Sequence, residues 1–93
     1  MIEFSEGRYR VQGPVTLDTV QPLLEDGIRR FDGTEVRVDL SGVTDADSAA
    51  VALLLAWARD AAVRGRRIRF EHLTKNLKSL IDLYELGELL PRA

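Results

Sequence analysis

Cysteine is absent from the 93 residues. That excludes disulfides, thiolate metal sites and a cysteine nucleophile, and it fits a reducing compartment. A long hydrophobic run is also missing. The longest apolar stretch, Ala49 to Ala58, falls far short of the ~20 residues that span a bilayer. The opening Met1-Ile2-Glu3-Phe4-Ser5-Glu6 lacks the basic start and apolar core of a signal peptide. The expectation is a cytoplasmic chain with no direct membrane insertion. Extended basic tracts are missing too, and the formal charge is −2. Arg64, Arg66, Arg67 and Arg69 form the one dense positive cluster. So short a patch offers few phosphate contacts, so it reads as a solvated turn and strand edge, with no nucleic acid as partner. Without repeats, linkers or low-complexity segments, residues 1–93 read as one domain with one core.

Catalytic signatures are equally scarce. The single histidine, His72, has no motif around it and reads as an ordinary loop-end residue. Asp45 and Asp47 are close in sequence, but neither an EF-hand loop nor paired histidines accompany them. The glycines make no phosphate-cradling loop. No catalytic residue, metal or cofactor is expected. A small hydrolase built on His72 and Ser48 is the weakest functional reading.

What is present is clear patterning. Ile2 and Phe4, Tyr9 and Val11, Val36 through Leu40, and Ile68 and Phe70 alternate with polar residues. This period of two marks strands with one buried face. Charge on the opposite face argues against a sheet covered on both sides. Helical spacing predicts a helix over about Thr19–Phe31, with Asp18 or Thr19 as cap and Pro22 in its first turn. A second helix is predicted from Ser48 to Val63, ended by Gly65, with Val51, Leu54, Leu55, Ala58 and Ala62 towards the sheet. A third is predicted after Thr74, with Leu77, Leu80, Ile81 and Tyr84 on one face and Gly87 as terminator. The tail Glu88-Leu89-Leu90-Pro91 is apolar enough to pack back. The expected architecture is α/β in two layers: a mixed sheet of about four strands, covered on one face by helices. Strands one and two form an antiparallel hairpin, and right-handed crossovers give parallel pairs.

The most informative stretch is Asp39-Leu40-Ser41-Gly42-Val43-Thr44-Asp45-Ala46-Asp47-Ser48-Ala49-Ala50. It reads as a strand end, a polar loop and the amino end of the central helix, whose unpaired donors and dipole Asp47 or Ser48 can cap. A phosphate on Ser48 would be accommodated at the same place.

Val38-Asp39-Leu40-Ser41-Gly42-Val43, followed by Asp47-Ser48 and Val51-Ala52-Leu53-Leu54-Leu55, resembles the STAS family, the sulfate transporter and anti-sigma factor antagonist domain. The order of strands and helices fits the same family over nearly the whole chain. The resemblance implies a STAS-like fold and a binding rather than catalytic role. It places Ser48, preceded by Asp47, where anti-sigma factor antagonists are phosphorylated. Ala49 and Ala50 stand where the family usually has glycine. The ending Leu83-Tyr84-Glu85-Leu86-Gly87-Glu88-Leu89-Leu90-Pro91 looks like MlaB-type STAS proteins. That resemblance implies a cytoplasmic subunit bound to the ATPase of the Mla ABC transporter. Through that partner it would associate indirectly with a membrane permease and lie peripheral to the inner membrane. The alternative is an anti-sigma factor antagonist switched by phosphorylation of Ser48.

The outer face of the second helix supplies candidate docking residues. With Val51, Leu55 and Ala58 towards the sheet, Leu53 and Trp57 point roughly away. Trp57 has two readings, a partly exposed anchor or core beneath a neighbouring helix. The expected partner surface comprises Thr44, Asp45, Asp47, Ser48, Ala49, Leu53 and Trp57.

Overall fold

Alternating apolar residues do form the strands, and the helical stripes form the helices that cover them. The computed structural model describes residues 1–90. Among the described residues the order is β1 (Ile2–Ser5), β2 (Arg8–Val15), α1 (Val20–Arg30), β3 (Glu35–Ala46), α2 (Ser48–Val63), β4 (Arg67–Glu71) and α3 (Lys75–Leu83), then a 3-10 turn at Gly87–Leu89. The sheet order is β1-β2-β3-β4. β1 and β2 are an antiparallel hairpin, while β2–β3 and β3–β4 are parallel. The mixed four-stranded sheet and three covering helices agree with the expected fold class.

The core lies between sheet and helices. Val11, Val36, Val38 and Phe70 from the strands meet Val51, Leu54, Trp57, Leu77 and Ile81 from the helices. Each such side chain contributes roughly 1.5–3 kcal/mol by leaving water.

β3 is longer than its sequence pattern suggests. A polar loop is expected after Leu40, yet Ser41 to Ala46 continue the strand and pair with β2 from Gln12 to Val15. Arg10 faces Asp39 and Gln12 faces Gly42, so β3 carries an extra residue there; a second register shift falls between Gly13 and Pro14. A bulge of this kind moves later side chains to the other face. Val43 is therefore buried, out of phase with Val38 and Leu40, while Thr44 and Asp45 are exposed. Pro14 sits at the second irregularity, where a missing donor is tolerated.

α2 and α3 close in the same manner. After α2, the Arg66 amide reaches Ala61 O (2.8 Å) and the Gly65 amide reaches Ala62 O (3.1 Å). After α3, Leu86 and Glu85 repeat the pattern on Ile81 and Asp82. The turning residue needs positive φ, supplied by Gly65 (φ 71°) and by Glu85 (φ 55°). Gly87 is thus not the terminator of α3. The helix ends earlier because Glu85 adopts the left-handed conformation, at a cost of about 1–2 kcal/mol, and Gly87 opens the 3-10 turn instead. Leu90 packs into the core, as expected of the tail, whereas Leu89 is exposed. Pro91 lies outside the described residues. Tyr84, expected on the buried stripe of α3, is exposed.

Candidate functional site

Asp47 organises the amino end of α2. Its extended backbone places it at the N-cap, where Oδ1 accepts from the Ala49 amide (2.8 Å). Its Oδ2 accepts from the Leu17 amide (3.0 Å). One carboxylate therefore caps α2 and ties down the segment that leads into α1. Ser48 follows as the first helical residue and is exposed. Its hydroxyl makes no hydrogen bond among the described residues.

The start of α1 is organised differently. Thr19 occupies its N-cap without capping it. Its hydroxyl donates to Pro14 O (2.9 Å) and accepts from the Thr16 amide (2.9 Å), so it holds the turn instead. Thr16 to Thr19 thereby projects Leu17 outward, 78% exposed. Between this turn, α1 and α2 lies a groove of about 500 Å³. Leu17, Val20 and Leu24 form one wall, Ala49 and Ala52 the other, and Asp47 and Ser48 the upper rim. Small alanines keep it open where larger side chains would fill it.

Of the residues expected at a partner surface, Asp47, Ser48 and Ala49 meet at this groove. Leu53 touches its floor but is only 2% exposed. Thr44 and Asp45 are exposed on the last part of β3. They do not line the groove, and Asp45 accepts from the Ala46 amide (2.9 Å). Asp45 to Ala49 form a strand end, a cap and the first residues of a helix, with no intervening loop.

The structure corrects the expected partial exposure of Leu53 and, of the two readings of Trp57, bears out core beneath a neighbouring helix over a partly exposed anchor. Trp57 is fully buried. Its ring lies against Phe31 in an edge-on contact (5.1 Å between centroids), and Nε1 donates to Leu24 O at 3.3 Å. Gly27 on α1 makes this possible, because a Cβ there would stand 2.6 Å from the indole. The face of α2 also differs from the expected one: Ala50, Val51, Leu53, Leu54, Trp57 and Ala61 are buried, while Ala62 is exposed. α2 is the middle helix, with α1 on one flank and α3 on the other. Periodicity measured against the sheet alone could not reveal the α1 contact. The groove wall from Leu17, Val20 and Leu24 was missed for the same reason. Its one sequence signal was a leucine in the otherwise polar turn Thr16–Thr19.

His72 is not near Ser48. It sits on the open side of the sheet, where its Nδ1 lies 3.2 Å from Asp39 Oδ1. Its backbone is left-handed (φ 55°). Asp39 is itself buried, and Arg10 reaches it at 3.4 Å. Burial pushes the Asp39 carboxyl up, but hydrogen bonds from the Ser41 amide and hydroxyl and from His72 outweigh it and hold the group at about 2, below the ordinary 3.8. Nearby, buried Glu71 takes a forked contact from Arg37 (2.9 and 3.2 Å). The helix-free face is thus not simply wet: two carboxylates lie beneath a layer of arginines. His72 and Ser48 occupy different layers and form no catalytic constellation.

The comparisons with known proteins agree with this architecture. No curated protein matches the sequence significantly. The structure of the anti-sigma factor antagonist SpoIIAA in its unphosphorylated form superposes with a TM-score of 0.73 at 16% identity, covering 100% of this chain and 86% of that one. A Thermotoga maritima protein described as a candidate anti-sigma factor antagonist superposes at 0.80 with 9% identity, covering 99% and 83%. RsbS from Moorella thermoacetica gives 0.66 at 20% identity, covering 100% and 84%. At such identities the likeness is one of fold. The sequence itself matches the family model described as "Mlab, STAS domain" over residues 2–91, and the chain therefore belongs to the STAS domain family.

Proposed function

We propose that this STAS domain is a non-catalytic accessory subunit that docks on the ATPase of a phospholipid-transporting ABC complex through the groove headed by Ser48. The observation that carries the reading is the pairing of an exposed, uncommitted hydroxyl with an adjoining apolar groove. The hydroxyl and the positive end of the α2 dipole suit a polar group of the partner. Leu17, Val20, Leu24 and the α2 alanines suit an apolar side chain. The family description and the chain's ending support an MlaB-type role. Under this reading the domain reaches the inner membrane only through its partner. Co-purification with the cognate ATPase tests it. Ser48→Arg and Ala52→Arg, both at exposed positions, should lower recovery while the circular dichroism spectrum stays unchanged. Full recovery with both variants would discard the groove as the docking surface.

A second reading has its own support. Ser48 lies where the α2 dipole would favour a phosphate, and structures of similar fold come from anti-sigma factor antagonists. In that case phosphorylation of Ser48 would switch partner affinity. Intact-mass measurement of the protein from native cells separates the two, since near-complete phosphate on Ser48 belongs to the switch alone.

A further inference from the structure

On the side of the sheet away from the helices, the strands carry Arg8, Arg10, Arg37, Arg67 and Arg69 with the carboxylates of Glu3, Glu35, Asp39, Asp45 and Glu71. Five arginines thus meet five carboxylates, and the excess is local: Glu3 faces Arg10 and Asp45 faces Pro14, away from Arg8, Arg37 and Arg69. The strand register organises the excess. Tyr9 faces Val38 and Arg37 faces Arg69, so Arg8, Arg37 and Arg69 form a row across three strands spaced about 4.8 Å apart.

That row is served by a single carboxylate. Glu71 takes both contacts from Arg37. Arg8 Nε lies 3.2 Å from the same carboxylate, but it is buried and makes no aligned hydrogen bond. Arg69 is exposed, with no carboxylate in ion-pair range among the described residues. Asp39 cannot help, being engaged by Arg10, Ser41 and His72. All five cations are arginine, although lysine occurs elsewhere, at Lys75 and Lys78 on α3. Arginine's planar fork grips carboxylates bidentately, as an ammonium cannot.

We propose that this face docks an acidic helix of a partner protein, laid across β2, β3 and β4 with successive carboxylates on the arginine row. Side chains three or four residues apart on a helix stand about 5–6 Å apart, close to the strand spacing. The contact would be steered by charge and sensitive to salt. It is separate from the Ser48 groove, which lies in the helix layer.

The test uses the whole chain and fluorescence anisotropy with a labelled alanine-based helical peptide bearing glutamate on one face at successive turns. A peptide with glutamine in its place is the control. The glutamate peptide should bind at low salt and weaken by about tenfold or more when salt is raised to about 0.5 M. The glutamine peptide should not bind. Arg69→Gln removes no ion pair of the folded chain and should weaken binding about fivefold, the scale of one surface charge pair. Ser48→Arg should bind as the parent does, which separates this surface from the groove. Failure of the glutamate peptide to bind, undiminished binding by Arg69→Gln, loss of binding in Ser48→Arg, or equal affinity for a DNA duplex would each overturn the proposal.

Discussion

At the α1–α2 groove, carboxylate chemistry serves the backbone: Asp47 satisfies the amides of Ala49 and Leu17, and the helix spacing is set by Trp57 against Gly27. On the open face of the sheet, carboxylates serve other side chains: Glu71 holds Arg37, and Asp39 holds Arg10 and His72. The first region is fixed by shape and leaves one hydroxyl free. The second is fixed by charge and leaves arginines under-neutralised. One domain thus presents two surfaces of different chemistry, apolar with a polar head and cationic with none.

The largest effect should come from the shape-determined side. Trp57→Ala should destabilise the fold by about 3–5 kcal/mol, read as a drop in urea midpoint. A surface anchor would instead leave the midpoint nearly unchanged, so a small shift would break the comparison at its strongest point.

Acid should act next, and on the other face. Asp39 titrates at about 2 in the folded chain instead of 3.8. A depressed folded value means the stabilisation is present above the ordinary value and lost as pH falls from about 4 towards 2, a loss of order 2 kcal/mol. Stability curves of the parent and Asp39→Asn should differ in slope within that window. Parallel curves would mean that the carboxylate is not held by its partners.

Cap removal should be milder. Asp47→Ala deletes the cap and the tie to Leu17 and should cost about 1–2 kcal/mol. Because the turn carrying Leu17 loosens, amide exchange should rise there as well as at Ala49. Exchange rising at Ala49 alone would show that the groove wall is held independently of the cap.

Ser48→Asp should have the smallest effect on the fold, a gain of about 0.3–1 kcal/mol from an anion beside the positive end of α2. The same change should reduce recovery of the ATPase partner. Stability and binding moving in opposite directions would sharpen the distinction between a structural cap at Asp47 and a recognition residue at Ser48.

Much of the architecture was legible in the sequence because it depends on local period. Charged residues opposite Tyr9, Val36 and Phe70 declared a sheet covered on one side, and Thr74 marked the start of α3, where its hydroxyl accepts from the Leu77 amide (3.2 Å). The continuation of β3 through Ser41–Ala46 was not legible, since each bulge shifts the alternation and polar Thr44 and Asp45 mimic a loop. Asp47 and Ser48 could be found from the cap. The other half of the groove could not, because Leu17, Val20 and Leu24 become neighbours of Ala49 and Ala52 only when α1 packs on α2.

The sequence by itself determined the two-layer plan, the order of elements and the presentation of Ser48 at the head of α2, because these follow from side-chain period and capping within a few residues. Only the tertiary structure decided that Trp57 is core, that Asp39 and Glu71 lie beneath arginines, and that Arg8, Arg37 and Arg69 align. Each of these depends on which distant segments share a surface, and helix packing and strand register settle that only once the chain has folded.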